Sequence, residues 1–349
     1  MIGKHDRWFQ YTGAIHIHTT ESDGTRPLAE IIDSGRRVGL EFMMFCDHMT
    51  LAHRERGAER FYGNTLVTIG YEHNDRDDRN HYLLFDSPGV YDPRLSAAEY
   101  VAAAAADGAL GIIAHPDEIR NRLREHPAFP WTEWGTDAFD GIEVWNQMSE
   151  WMERLTRLNT LFMALSPRKS IVAPVVRTLQ RWDQINRGRP CAGIAGLDAH
   201  AFKIRTGPFT FDVFPYKVHF RSLRCYVLLD EPMSADWRIA KSQLYRAIRE
   251  CRLFFANVRW GEADDFDLTV ESAGRLDTCG GRVPLSEEAV LRCRLPERAT
   301  IRLIRDGELE LRTKSRQLEY RIARPGVYRV EVFKGRRGWI FSNHVRVVA

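Results

Sequence analysis

The sequence is short of several features that would settle its class at once. Its six cysteines, Cys46, Cys191, Cys225, Cys251, Cys279 and Cys293, are scattered, and none stands in a C-x-x-C pair. They read as buried thiols of a reducing compartment. Charge of one sign is also scarce: 50 Lys and Arg against 47 Asp and Glu give +3, too little to argue for nucleic acid. No apolar run is long enough to span a bilayer. The opening M-I-G-K-H-D-R-W has no apolar core of a secretion signal. The expectation is a cytoplasmic protein without a nucleic-acid or membrane partner, its oligomeric state left open. No G-x-S-x-G elbow occurs, which argues against a serine hydrolase. There is no internal repeat and no low-complexity tract.

What is there is a soluble globular composition, 44% hydrophobic and 28% charged over 349 residues. That length suits one large domain, or a moderate one with a small companion. The organising stretch is A-I-H-I-H-T-T-E-S-D-G-T, Ala14 to Thr25. His16 and His18 alternate with apolar residues, which puts both imidazoles on one face of a short strand. Asp23-Gly24 is a turn signal just beyond it. Two His and an Asp so placed look like half of a site for Zn, Mn or Fe. H-x-H alone is equally compatible with two ordinary buried histidines.

The rest of the chain repeats the pattern. Thr25 can cap a helix beginning at Pro27, with Leu28, Ile31, Ile32 and Val38 on its apolar face and Gly39 as its stop. Phe42 to His48 is a continuous apolar strand ending in Asp47-His48. Leu66 to Tyr71 leads to Glu72-His73, and His81 precedes the strand Tyr82–Phe85. Ser96 and Glu99 form a capping box for an Ala-rich helix to Asp107. Leu110 to Ala114 leads to His115, Ile142 to Val144 carries Glu143 and leads to Asn146, and Ala192 to Leu197 leads to Asp198-Ala199-His200. Strands alternating with helices imply parallel βα units, and parallel barrels keep their active sites at the strands' C-terminal ends. The same ligand types at end after end are hard to explain as solvation.

Between Trp151 and Arg189 the chain turns helical and basic, with Arg154, Arg157, Arg168, Lys169, Arg177, Arg181, Arg187 and Arg189 against Glu153 and Asp183. This reads as a solvated excursion over about 151–190, or as a cap whose cations guide an anionic substrate. Cys225–Leu229 and Leu253–Val258 read as strands, the latter as the last barrel-type strand, with a helix over Ser234–Cys251 between them. From about Gly261 short alternating strands separated by turns such as Asp306-Gly307 and Pro325-Gly326 announce an all-β module without ligand clusters. The division expected is 1–260 and 261–349. The module's apolar faces favour a fixed interface with the barrel.

Taken together, H-I-H-T with S-D-G-T, C-D-H, G-Y-E with N-H-Y, A-H-P and G-L-D-A-H resemble the PHP (polymerase and histidinol phosphatase) superfamily of metal-dependent hydrolases, in the family's order from Ile15 to His200. The resemblance implies an α/β fold, a distorted (β/α)7 barrel with two or three divalent metal ions (Mn, Fe or Zn) at its mouth. It nominates His16, His18, Asp23, His48, Glu72, His81, His115, Asp198 and His200 as ligands. Of these, Asp198, His200 and His48 are expected to matter most to the catalytic step. Asp23 stands where some members have His. G-I-E-V-W-N at Gly141 to Asn146 and W-I-F-S-N at Trp339 to Asn343, with the terminal β module, are similar to the CehA/McbA branch, which includes carbamate-ester hydrolases. His344 follows where that branch has a small residue or Pro.

Asp47, Glu143 and Asn146 are expected to orient ligands from behind. Lys203, Arg205 and Arg189 are candidate contacts for an anionic substrate. His73 faces the other way from Glu72 if the strand is regular. His5, His53, His126, His219 and His344 match no motif, and Trp145, Trp151 and Trp182 read as core. Clustered divalent metals present a bridging hydroxide at neutral pH, able to attack phosphorus or a carbonyl carbon. A phosphoesterase acting on a small phosphomonoester or phosphodiester is therefore the first expectation. A hydrolase of carboxylic or carbamic esters or amides is the second, and a non-catalytic metal-binding scaffold the third. The scaffold needs fewer ligands than are present.

Overall fold

The computed structural model describes residues 7–120, 127–156, 158–206 and 209–349; the side chains of 160, 204–206 and 209–211 also lie outside the description. His5, His126 and Arg157 therefore fall outside the described residues, as does the Arg205 side chain.

Seven strands close a barrel: β1 Phe9–Ile17, β2 Phe42–His48, β3 Thr65–His73, β4 Tyr82–Phe85, β5 Leu110–Ile113, β6 Gly141–Asn146 and β7 Ala192–Ala199. β1–β2, β2–β3, β5–β6, β6–β7 and β7–β1 pair in parallel. β4 runs antiparallel to both its neighbours. The reason is local: β3 reaches β4 through a loop with no crossover helix, and only an antiparallel hairpin can be closed that way. Helices cross the parallel steps β1–β2 and β6–β7. Leu28–Arg36 joins β1 to β2, and Gln147–Arg154, Thr160–Leu165 and Val176–Gly188 lie between β6 and β7. Helix Ala97–Ala106 starts with the expected capping box at Ser96 and Glu99.

The strands are buried along nearly their whole length, as the continuous apolar runs of β2 and β5 require when helices cover one face and side chains fill the other. Thr25 does not cap the first helix. Its hydroxyl donates to the carbonyls of His200 (3.0 Å) and Ala201 (2.8 Å), tying the turn after β1 to the turn after β7.

The first half of β1 extends beyond the ring and pairs antiparallel with β8 (Leu223–Leu229), from Phe9 opposite Leu229 to Gly13 opposite Cys225. β9 (Leu253–Asn257) pairs with β8 and so lies outside the barrel, not in it as the sequence suggested. Helix Trp237–Arg249 connects the two, shorter at both ends than the expected Ser234–Cys251.

The remaining strands are an all-β assembly dominated by the long hairpin Val290–Arg305 and Glu308–Arg321. Asp306 and Gly307 both have positive φ (52° and 88°), the backbone a two-residue hairpin turn demands. Strand Arg337–Ser342 pairs antiparallel with β9, so the sheet runs unbroken from barrel to C-terminus. No helix among the described residues is long and apolar enough to cross a membrane.

Candidate metal centre

The barrel mouth is built where β1, β2, β3, β5 and β7 end. His16 does not sit in a regular strand. Its φ is 68°, and β1 is bulged against both β2 and β7 between Ile15 and Ile17. Opposite it, Asp198 has φ 51°, and His115, just past β5, has φ 27°. Three donor-bearing residues thus hold the left-handed backbone that non-glycine residues avoid, the kind of strain that tightly packed functional sites sustain. The bulge, not strict alternation, aims His16.

Glu72 is the hub. Its Oε2 lies 3.0 Å from His16 Nε2, 3.2 Å from His18 Nε2 and 3.6 Å from His48 Nε2. Its Oε1 lies 2.9 Å from His81 Nδ1 and 3.1 Å from His115 Nε2. Asp198 Oδ1 is 3.5 Å from His16 Nε2 and 3.6 Å from His18 Nε2. Asp23 closes the outer side, with Oδ2 3.0 Å from His200 Nε2 and 3.8 Å from His48 Nε2, and Oδ1 3.5 Å from His18 Nδ1. All nine nominated residues therefore meet in one cluster.

Supports hold the donors in register. Glu143 Oε1 lies 2.7 Å from His16 Nδ1, and its Oε2 accepts from the His115 backbone N–H and from Asn146 Nδ2, both at 2.8 Å. Glu143 reaches His16 across Gly196, where a Cβ would fall 1.5 Å from its Oε1. Asp47 accepts from the Thr19 N–H and hydroxyl and from the Ser22 hydroxyl, fixing the loop that carries Asp23. His53, unassigned in the sequence, also lies at this loop, its Nε2 2.9 Å from the Thr19 hydroxyl. His200 Nδ1 lies 2.9 Å from the Asp198 carbonyl.

The electrostatics fit a cation site. Burial alone would raise Glu72, but His16, His48 and His81 hold it well below the usual carboxylate range. The same opposition keeps Asp198 and Asp23 ionised, through His16 and His200 respectively. Burial lowers His48 to about 4. His81 and His200 resist the same burial because carboxylates face them, Glu72 and Asp78 at His81 and Asp23 and Asp198 at His200, and they are pushed up to about 10 and about 9. His18 is the clearest test. It is wholly buried, with carboxylates of Glu72 and Asp23 near its two ring nitrogens, yet neither nitrogen makes a hydrogen bond among the described residues. A buried imidazole without hydrogen bonds is costly, and divalent ions among these donors would supply the missing interaction.

The cluster floors a cavity of about 270 Å³, walled by Phe129, Met148, Met152 and Phe202 and edged by Arg120. Arg120 was not foreseen. Its Nη2 lies 4.0 Å from Asp198 Oδ2, and its Nε donates to Glu118 Oε1 at 2.5 Å. Glu118 is itself held by the Ser149 hydroxyl and the Phe129 N–H. Arg120 sits in a loop, where no periodicity marks it.

Of the other candidate cations, Arg189 lies elsewhere. Arg189 stacks on Phe139 at 4.3 Å and lines a separate groove with Trp134 and Arg181. Lys203 is exposed on the two-stranded ribbon Lys203–Thr206 and Phe209–Asp212. His73 points away from the cluster and packs 4.3 Å from Tyr100.

No protein-family model and no curated protein matches this chain. Solved structures do resemble it. One is a two-domain protein from Bacteroides vulgatus, described as containing a predicted PHP-like metal-dependent phosphoesterase. It is 13% identical, with a TM-score of 0.49 over 99% of this chain and 98% of that one. A second, from Bifidobacterium adolescentis, is named as a candidate metal-dependent phosphoesterase. It is 16% identical, with a TM-score of 0.33 over 57% of this chain and 92% of that one. Neither likeness bears on the chemistry, which rests on the geometry above.

Proposed function

We propose that this chain is a metal-dependent hydrolase of the PHP superfamily that cleaves a small phosphoester. The observation that carries the reading is the convergence of His16, His18, Asp23, His48, Glu72, His81, His115, Asp198 and His200 on one cleft floor, with Glu72 facing donors on both of its oxygens. Two or three divalent ions, of Mn, Fe or Zn, would be held there. When bound, they would acidify a water at neutral pH and neutralise negative charge developing on the substrate.

The chain's own residues set this up. Glu143 accepts the Nδ1 proton of His16, which leaves the Nε2 lone pair directed inward, and the Asp198 carbonyl does the same for His200. Arg120, at the cleft edge beside Asp198, is placed to pair with the anionic part of a substrate. Phe129, Met148, Met152 and Phe202 exclude water and give the organic part an apolar wall.

That wall also suits an aryl ester, so hydrolysis of a carbamate or carboxyl ester, as in the CehA/McbA branch, is the second reading. The W-I-F-S-N motif does not favour it. Asn343 spends its side-chain amide on both backbone groups of Gly193, at 2.8 Å each, which is a structural role.

The test is a side-by-side assay of a nitrophenyl phosphate, a bis-nitrophenyl phosphate and a naphthyl carbamate with Mn-loaded protein. Phosphoester turnover that falls in Arg120→Ala is expected. Turnover of the carbamate alone reverses the ranking, and elemental analysis below one metal per chain after reconstitution overturns the metal site.

A further inference from the structure

Helix Thr160–Leu165, in the excursion between β6 and β7, wears its apolar residues on the outside. Leu158 is 100% exposed, Leu161 73%, Phe162 53% and Leu165 74%. Leu161, Phe162 and Leu165 share one helical face by spacing. The inner face is already satisfied: Met163 is buried, and its carbonyl accepts from Trp151 Nε1 at 3.2 Å. The outer face is thus an exposed apolar ridge on a helix held from its inner side. A ridge of this kind marks an interaction site more often than a solvated surface.

A patch of cations without acidic partners lies beside the ridge, starting at Lys169 and Arg168. Lys169 Nζ lies 5.4 Å from the Phe162 ring. Arg168, next in the chain, donates to the Arg221 carbonyl at 2.9 Å. Arg259 and Arg337 both stack on Trp260, at 5.1 and 4.3 Å. Among the described residues, none of these five cations forms an ion pair with a carboxylate. Burial, and then the positive charge of Arg259 and Arg221, lowers Arg168, so the group repels itself.

We propose that this ridge and the basic patch beside it dock the protein on an anionic lipid bilayer. A six-residue helix lying flat can sink its apolar face into the boundary between headgroups and acyl chains while neighbouring Lys and Arg meet lipid phosphates. Charge complementarity selects the occupant. The unpaired cations need a continuous negative surface, and apolar side chains this exposed fit the boundary of a deformable bilayer. The absence of a spanning segment does not oppose this, since surface docking needs none. The docked face adjoins the cleft: helix Gln147–Arg154 supplies Trp151 to the ridge helix and Met148 and Met152 to the cavity wall.

The experiment is co-sedimentation of the full chain with vesicles of phosphatidylcholine alone and of equal parts phosphatidylcholine and phosphatidylglycerol. Binding to the mixed vesicles only, weakened by salt, is expected. The double substitution Leu161→Asp, Leu165→Asp should abolish it. Arg168→Gln and Lys169→Gln should each weaken it about fivefold. All variants should keep the wild-type circular dichroism and the wild-type turnover of a soluble ester. Failure to bind the anionic vesicles, or binding indifferent to these substitutions, overturns the proposal. So does concentration-dependent self-association without vesicles that Leu161→Asp removes, since the ridge would then serve a second copy of the chain.

Discussion

At the scale of single residues, the cluster is a set of groups whose charges are mutually dependent. Asp198→Asn keeps the volume but removes a negative charge from a wholly buried position facing His16 and His18. Hydrolysis should fall by orders of magnitude while thermal unfolding stays cooperative. Glu143→Gln tests the support behind His16. An amide can offer its N–H to Nδ1 and turn the imidazole, so metal affinity and activity should drop about 10- to 100-fold. Titration with metal, followed by elemental analysis, separates this from a simple folding defect.

The pH behaviour follows from His81 and His200. Both are raised above the ordinary histidine value, to about 10 and about 9, so both are protonated in the metal-free protein at neutral pH. The stability they contribute is complete below about 6.5 and is lost as pH rises through about 9 to 10. Glu72, Asp198 and Asp23 are depressed, so their contribution is constant across that window. The melting temperature of metal-free protein should therefore fall between pH 7 and pH 10. Metal binding at neutral pH should release protons, read by calorimetry in buffers of different ionisation enthalpy. A flat melting profile and no proton release would contradict the assignment.

At the scale of elements, the bulged strand β1 and the glycine in β7 do the positioning. Gly196→Ala would put a methyl group 1.5 Å from Glu143 Oε1 and drive that carboxylate off His16. The substitution touches no donor of the cluster, yet activity should fall at least as far as in Glu143→Gln. Wild-type turnover in Gly196→Ala would show that Glu143 does not act through His16. The strand ends were legible in the sequence because His, Asp and Glu recur just past apolar runs. The bulge was not, because it arises from β1 pairing with β2 and β7 at once. The position of β9 outside the ring was equally hidden, because it depends on which edges remain open once the other strands have paired. The reversal of β4 is local, set by the short helix-free loop from β3.

At the scale of the whole molecule, barrel and C-terminal strands are joined by a buried ionic knot. Arg329, in strand Gly326–Lys334, makes two bonds to Asp183 on helix Val176–Gly188 (2.6 and 2.7 Å) and one to Glu331 (2.8 Å). His344 Nε2 lies 2.7 Å from Asp183 Oδ1, and its ring stands edge-on to Trp182 at 4.5 Å. The residue after S-N, unexplained in the sequence, thus has a partner on the barrel. Asp183→Ala should cost about 3–5 kcal/mol by denaturant unfolding, because it takes two of the three side-chain bonds from the buried Arg329 guanidinium and leaves it only Glu331. Turnover per folded molecule should be unchanged. A fragment ending at residue 260 should be insoluble, because it strips Phe254, Phe255 and Trp182 of their covering strands. A soluble, active fragment would contradict the fixed interface.

Short-range pattern in the chain carried the parallel βα units, the His, Asp and Glu at their strand ends and the all-β character of the C-terminal segment, through apolar runs of strand length and turn signals. The seven-stranded barrel and the set of nine ligands came from the resemblance of the motifs to the PHP superfamily. The folded chain alone shows that Arg120 edges the cleft, that Glu143 contacts His16 across Gly196, that Arg189 is elsewhere, and that Asn343 and His344 grip the barrel. Asn343 and Gly193 lie 150 residues apart, and His344 and Asp183 lie 161 apart. Such contacts leave no local period, because their energy is gained only when distant strands have already paired.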